Sequence, residues 1–277
     1  MEEPQLFAST PTMTVEEVKK FLAEHDPGTY TLVDVRQPVE YEEVHIPGAR
    51  LVPLPELMDA VPDLERAKPT ILYCSVGGRS RVAAQLLMGQ GFERVFNMAG
   101  GIFSWEGLEA VGPQELNMDL VRGDESPEEM LALAYGMEDG LQHFYDTARA
   151  KTLNAKIADL MATLAQVEER HKAKLQQMYT GLHPDSTGLG GFATDPETGI
   201  MEGGFRIDEF MTQNQSLMDD GEKVLEMAIM LESQALDLYL RFADKMHVEA
   251  TRELLFAIAR EEKGHLALLG RLYDEIA

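Results

Sequence analysis

Two kinds of hydrophobic patterning succeed one another along this chain, with the change falling between positions 112 and 126. In the first part, short apolar runs alternate with segments of helical spacing. Thr31-Leu32-Val33-Asp34-Val35 and Thr70-Ile71-Leu72-Tyr73 are rich in β-branched and aromatic residues and bounded by polar or turn residues, which predicts buried strands. Ser80 to Gln90 places its apolar residues at helical intervals and stops at Gly91, a residue suited to closing a helix. Strands alternating with helices predict an α/β domain with a largely parallel sheet over residues 1–112.

From Ser126 the period lengthens. Ser126-Pro127-Glu128-Glu129 has the form of a helix start: a capping hydroxyl, proline in the first turn, then acids facing the positive end of the helix dipole. Periodicity predicts four long helices over 126–150, 153–180, 215–244 and 247–275, hence an all-α four-helix bundle over 126–277. Residues 113–125 read as the linker between the domains. Between the second and third helices, Gly181 to Gly204 is rich in Gly, Thr, Asp and Pro. A bundle whose second and third helices run parallel needs a long crossover there.

Composition narrows the function classes. The chain of 277 residues carries a net charge of -24, of which -8 precedes Gly112 and -16 lies from Gly112 onward. That balance argues against a nucleic-acid partner, which needs clustered Lys and Arg. No apolar stretch reaches the length of a membrane span, and Met1-Glu2-Glu3-Pro4 has neither the basic segment nor the apolar run of a secretory signal. The single cysteine excludes an internal disulfide and any four-thiolate metal site within this sequence. A cytoplasmic location is the expectation.

That cysteine, Cys74, ends a predicted strand and leads through Ser75-Val76-Gly77-Gly78-Arg79-Ser80 into a helix. The glycines let successive N–H groups point to one spot, and the helix N-terminus adds partial positive charge. A thiol in such a cradle has a lowered pKa and reacts as a thiolate. Arg79 is the residue to fork onto an anionic substrate. With Asp34-Val35-Arg36, Glu40-Tyr41, His45-Ile46-Pro47-Gly48-Ala49, Asn97-Met98-Ala99-Gly100-Gly101-Ile102 and Trp105, the region 10–110 resembles a rhodanese-type sulfurtransferase domain. The resemblance implies a parallel sheet with helices on both faces and a Cys74 that takes sulfane sulfur from thiosulfate or a persulfide and passes it to a thiol acceptor. Four residues separate Cys74 from Arg79, as in sulfur-transferring members; related phosphatases have five. Asp34, Arg36 and His45 read as a scaffold of paired charges and turns.

The second domain carries a repeat. Glu138, Glu168 and His171 recur ninety-four residues later as Glu232, Glu262 and His265, with Tyr145 and Tyr239 each seven residues after the first glutamate. Residues three apart share a helix face, so each Glu-x-x-His addresses one centre. Four carboxylates balance two divalent ions in charge, which a buried set of bare carboxylates cannot do without strong repulsion. An oxygen-rich set lacking thiolate favours iron over zinc, with manganese as the alternative. Tyr145 and Tyr239 lie on the ligand faces and read either as hydrogen-bond donors to the ligands or as core aromatics. His143, His183 and His247 match no part of the repeat.

One Glu from each of two helices and Glu-x-x-His from the other two resembles the rubrerythrin and ferritin superfamily, nearer the rubrerythrin side. The resemblance implies a di-iron centre that reduces peroxide or activates dioxygen, and pairing into a homodimer or higher homo-oligomer. Rubrerythrins typically carry a further glutamate where this chain has Ala235, and they usually end in a rubredoxin domain, so electrons are expected from an external donor protein. The sequence thus reads as a persulfide-forming sulfurtransferase joined to a di-iron oxidoreductase. The alternative is an iron-storing or iron-sensing bundle joined to a persulfide carrier.

Overall fold

The computed structural model describes residues 10–182, 199–215, 218 and 220–276. The chain divides into two compact units, Met1–Leu116 and Asn117–Ala277. His183, expected to be an ordinary histidine, and most of the expected crossover lie outside the described residues.

In chain order the first unit contains β1 (Thr12–Met13), α1 (Val15–Glu24), β2 (Thr31–Asp34), α2 (Pro38–Glu43), β3 (Arg50–Leu51), α3 (Leu57–Ala60), β4 (Thr70–Tyr73), α4 (Gly78–Gly89) and β5 (Val95–Met98). The five strands form one sheet in the order β1-β5-β4-β2-β3, and every pairing is parallel. Alternation along β2 and β4 explains why both faces are covered. Val33, Leu72 and Cys74 pack with Leu57 of α3 and with Ala83, Ala84 and Leu87 of α4. Leu32, Ile71 and Tyr73 pack with Val15 and Val18 of α1 and Tyr41 of α2. A period of two thus places neighbouring residues in two separate cores. Sequence spacing also places the α4 boundary well: Gln90 caps the helix and Gly91 follows at a φ of 87°.

The second unit contains α5 (Pro127–Lys151), α6 (Ala155–Leu182), β6 (Ile200–Met201), β7 (Phe205–Arg206), α7 (Ile207–Asn214), α8 (Gly221–Lys245) and α9 (Glu249–Ile276). Ser126 caps α5 through its hydroxyl, and Glu129 returns the bond to the Ser126 N–H, a reciprocal pair that fixes the start. The long helices pack chiefly as α5 against α6 and α8 against α9, and the core runs through Leu141, Phe144, Leu164, Leu225 and Leu231.

The third long helix departs from the expected start at 215. It begins at Gly221 because the Asp220 side chain accepts hydrogen bonds from the Glu222 and Lys223 N–H groups. The stretch before it folds instead into a two-stranded antiparallel hairpin, β6 with β7, and the separate helix α7. Residues 117–125, which read as linker, fold with the second unit. Lys245 Nζ donates to the Met118 and Val121 carbonyls, the His247 N–H to Gly123, and the Thr251 hydroxyl to Glu125. Among the described residues no helix is long and apolar enough to cross a membrane.

Candidate active loop and candidate metal centre

Cys74 follows the last residue of β4 and is 1 % exposed. The turn after it is possible because Gly77 adopts a φ of 93°, where an L side chain is strained, and because a Cβ there would sit 3.2 Å from the Met98 carbonyl. The Gly77 N–H reaches back to Cys74 Sγ at 3.1 Å. The Ser80 hydroxyl lies 3.4 Å from the same sulfur and 2.7 Å from Asn97 Oδ1, so one proton is shared between them. Burial opposes ionisation of the thiol. Hydrogen bonds from the Ser80 hydroxyl and from the Ser80, Val76 and Gly77 amides outweigh it and lower the pKa.

Arg79 does not stand free over this loop. Its two terminal nitrogens meet Glu40 at 2.7 and 2.6 Å, and one also donates to Ser75 Oγ at 2.7 Å. The Arg79 hydrogen bond is the main cause holding the Glu40 carboxyl at about 2. Glu40 in turn raises the Arg79 pKa, with a smaller contribution from the Cys74 sulfur nearby. Around this site, Asp34 and Arg36 form a buried bidentate pair with contacts of 2.6 to 3.0 Å. Arg36 also donates to the Val44 carbonyl at 2.6 Å. His45 stacks on Tyr41 at 3.7 Å and donates through Nδ1 to its carbonyl.

In the second unit the six repeat residues converge. Glu138 comes from α5, Glu168 and His171 from α6, Glu232 from α8, and Glu262 and His265 from α9. His171 Nδ1 lies 3.3 Å from Glu138 and 2.8 Å from Glu168. His265 Nδ1 lies 3.7 Å from Glu232 and 3.1 Å from Glu262. The two imidazoles stack on one another in parallel. The repeat in sequence is therefore a pseudo-twofold arrangement in space, each half supplying a histidine flanked by two carboxylates.

A seventh group enters from outside the repeat. Glu202, in the one-turn 3-10 helix Glu202–Gly204 between β6 and β7, is 1 % exposed. Its carboxylate belongs with Glu138 and Glu262 to a set whose ligand atoms lie within 4.8 Å of one another. Two further sets of the same spread are Glu138, Glu168 and His171, and His171, Glu232 and His265. Tyr239 donates its hydroxyl to Glu202 Oε1 at 2.9 Å, while the buried Tyr145 hydroxyl makes no hydrogen bond among the described residues. Helical periodicity cannot find Glu202, which sits on no long helix. The available signal is a lone acid after the apolar pair Ile200-Met201, in a segment otherwise rich in glycine. His143 is exposed and lies 3.5 Å from Thr147, and the His247 N–H bonds Gly123; neither side chain joins the centre.

The electrostatics suit a bound cation. One oxygen each of Glu138, Glu168, Glu202 and Glu232, and His171 Nδ1, are buried without a well-angled hydrogen bond among the described residues. Burial drives the Glu138, Glu168 and Glu202 carboxyls well above the ordinary range and Glu262 to about 8. Burial pushes Glu232 the same way, but hydrogen bonding to His265 and Glu262 brings it below the ordinary value. Burial works to lower the His265 imidazole, yet Glu232 and Glu262 raise it to about 11. Carboxylate oxygens and imidazole nitrogens packed this closely, with unsatisfied lone pairs and no thiolate, fit divalent ions of the iron or manganese kind.

Comparison with known proteins finds relatives for each unit. A rhodanese-like domain matches residues 14–108, and rubrerythrin matches residues 223–277, the stretch holding Glu232, Glu262 and His265. The chain is 36 % identical over 85 residues to a sulfurtransferase of Allochromatium vinosum, covering 30 % of this chain and 79 % of that protein. It is 36 % identical over 75 residues to the thiosulfate sulfurtransferase GlpE of Pseudoalteromonas translucida, covering 27 % and 71 %. It is also 42 % identical over 76 residues to YqhL of Bacillus subtilis, covering 27 % of this chain and 60 % of the relative, less than two thirds of its length. Both units thus have their relatives, and the chain belongs to the rhodanese-like family through its first unit and carries a rubrerythrin domain in its second.

Proposed function

We propose that this protein transfers sulfane sulfur through a persulfide on Cys74 and reduces hydrogen peroxide, or activates dioxygen, at a di-iron centre held by the second unit. The reading is carried by one observation: a single chain combines a thiolate-stabilising loop with a buried, cation-demanding cluster of carboxylates and imidazoles.

In the first reaction the Cys74 thiolate attacks the outer sulfur of thiosulfate. A new S–S bond forms on Cys74, the S–S bond of thiosulfate breaks, and sulfite leaves with the bonding pair. The Gly77 N–H and Ser80 hydroxyl, which already point at Sγ, stabilise its negative charge before the transfer and again when Cys74 is released; in between, the charge lies on the outer sulfur of the persulfide. Arg79 binds the anion when it exchanges part of its Glu40 fork for substrate oxygens. An acceptor thiolate then attacks the outer sulfur and releases Cys74 as thiolate.

In the second reaction, bound iron supplies Lewis acidity and the electron transfers that break an O–O bond. Glu138, Glu168, His171, Glu232, Glu262 and His265 would hold the ions at the spacing their helices set. The Tyr145 hydroxyl, buried beside them, is an O–H donor for a substrate oxygen. Hydrogen peroxide takes two electrons, from an external donor protein, and two protons to give two waters.

Two measurements test this. The Cys74→Ser protein should lose thiosulfate-to-cyanide sulfur transfer to background while the iron-loaded protein still consumes peroxide with a chemical reductant over many turnovers. Retained sulfur transfer in Cys74→Ser would remove the assigned nucleophile. Peroxide consumption that stops at one equivalent per centre would replace catalysis with iron storage or sensing.

A further inference from the structure

We infer that Glu202 is an additional metal ligand, delivered to the centre by the crossover rather than by a bundle helix; this rests on the reading of the second unit as a metal-binding bundle. Three independent features of the structure carry it. The first is the side chain itself. Glu202 is 1 % exposed, Tyr239 donates to Oε1, and Oε2 is buried with no hydrogen-bond partner among the described residues. One oxygen is anchored and the other is offered. A carboxylate buried only for packing leaves no lone pair unsatisfied at such cost.

The second is aim. A ligand atom of Glu202 lies within 4.8 Å of ligand atoms of Glu138 and Glu262, one from each half of the repeat. On α8, Ala235 is wholly buried one turn beyond Glu232, so the helix puts a single methyl group where a longer side chain would reach inward. The crossover supplies a carboxylate that α8 does not.

The third is that the backbone is built to bring it in. Gly140 of α5 lets the crossover approach so closely that a Cβ there would stand 2.2 Å from the Ile200 carbonyl oxygen. The Glu202–Gly204 turn packs against α8 and α5, the two helices that carry Glu232 and Glu138. This entry breaks the pseudo-twofold. Tyr239 donates its hydroxyl to Glu202, whereas the hydroxyl of its repeat mate Tyr145 makes no hydrogen bond among the described residues. The centre therefore has two unlike sides, one closed by a carboxylate and one bearing an available donor.

Glu202 brings the carboxylates to five, one more negative charge than two divalent ions neutralise. It would bias the site toward the more highly charged, oxidised ions and bind one of the two positions more tightly. The test is ferrous-ion loading of full-length wild type and Glu202→Gln, followed by elemental analysis, competition with a ferrous chelator, and measurement of the midpoint potential. The amide oxygen of Gln keeps the Tyr239 bond and the volume while removing the charge. The expected result is two ions per chain in wild type, a tenfold or greater loss of affinity for one ion in Glu202→Gln, and a midpoint shifted upward. Glu202→Asp serves as a second variant should the first fail to fold; it should keep the charge, shorten the reach and lose affinity to a smaller degree. A Glu202 variant that binds both ions with wild-type affinity and midpoint would reduce Glu202 to a buried structural acid. Wild type that binds no iron or manganese would overturn the metal-centre reading itself, and the inference with it.

Discussion

At the residue scale the sulfur site is governed by competition for Arg79. Glu40 and the substrate anion seek the same guanidinium, and Glu40 holds it with two charge-assisted bonds. Replacing Glu40 by Gln retains an oxygen that can cap α2 but removes the charge that repels an anion. One unit charge at this range in a wet site amounts to ~1 kcal/mol, so KM for thiosulfate should fall roughly fivefold with a smaller effect at high salt. Steady-state kinetics at two ionic strengths would check it; an unchanged or raised KM would mean that Glu40 orients Arg79 rather than occupying it. The same pair has a pH signature. Because the folded-state pKa of Glu40 is held at about 2, below its ordinary 4.5, the pair's contribution is complete above the ordinary value and fades as pH falls toward 2. Both side chains are about a third exposed, so the contribution is on the order of 1 kcal/mol after screening. Acid unfolding of Glu40→Gln should accordingly lose that component between pH 5 and pH 2 and no other.

At the element scale, the contrast between what periodicity reveals and what it hides is sharpest in the second unit. The six converging positions are legible because each lies on a long helix, where spacing alone fixes the face. Strand faces in the first unit are legible for the same reason, through a period of two. Glu202 is illegible because its position is set by contacts distant in sequence: Gly140 on α5 and Tyr239 on α8. The late start of α8 is hidden by a related cause: α7 ends at Asn214, α8 begins only at Gly221, and its start is fixed by the Asp220 cap rather than by any change in apolar rhythm. The pairing of Arg79 with Glu40 is illegible in the sequence, because Glu40 is thirty-nine residues away and nothing local announces the pair. These contacts make Gly140→Ala a test at this scale. The added methyl meets backbone, not a flexible side chain, so overpacking should destabilise the protein by about 1–3 kcal/mol. It should also push the Ile200–Gly204 segment outward. Loss of affinity for one metal ion, alongside that destabilisation, is the expected signature by chelator competition. Gly264, on α9 with nothing near its Cβ, is the control: Gly264→Ala should be neutral or stabilising.

At the scale of the whole molecule, acidity has two origins that salt can separate. From Gly112 onward the chain carries a net charge of -16, much of it on exposed helix faces. That repulsion is screened by ordinary salt, whereas the carboxylates of the buried centre lie beyond its reach. Metal is the only agent that relieves the second set without protonating it. Chelation should therefore destabilise the second unit while leaving Cys74-dependent sulfur transfer intact. For ions present at a thousand times Kd, linkage gives ~4 kcal/mol, which for a unit of this size is on the order of 10 °C in Tm. The informative experiment is calorimetry of metal-loaded and chelated protein at low and high sodium chloride. Salt should raise both transitions, because the surface term is common to both, and the gap between them should persist because its source is buried. A gap that closes at high salt would assign the carboxylate repulsion to the surface and leave the centre with no energetic need for metal.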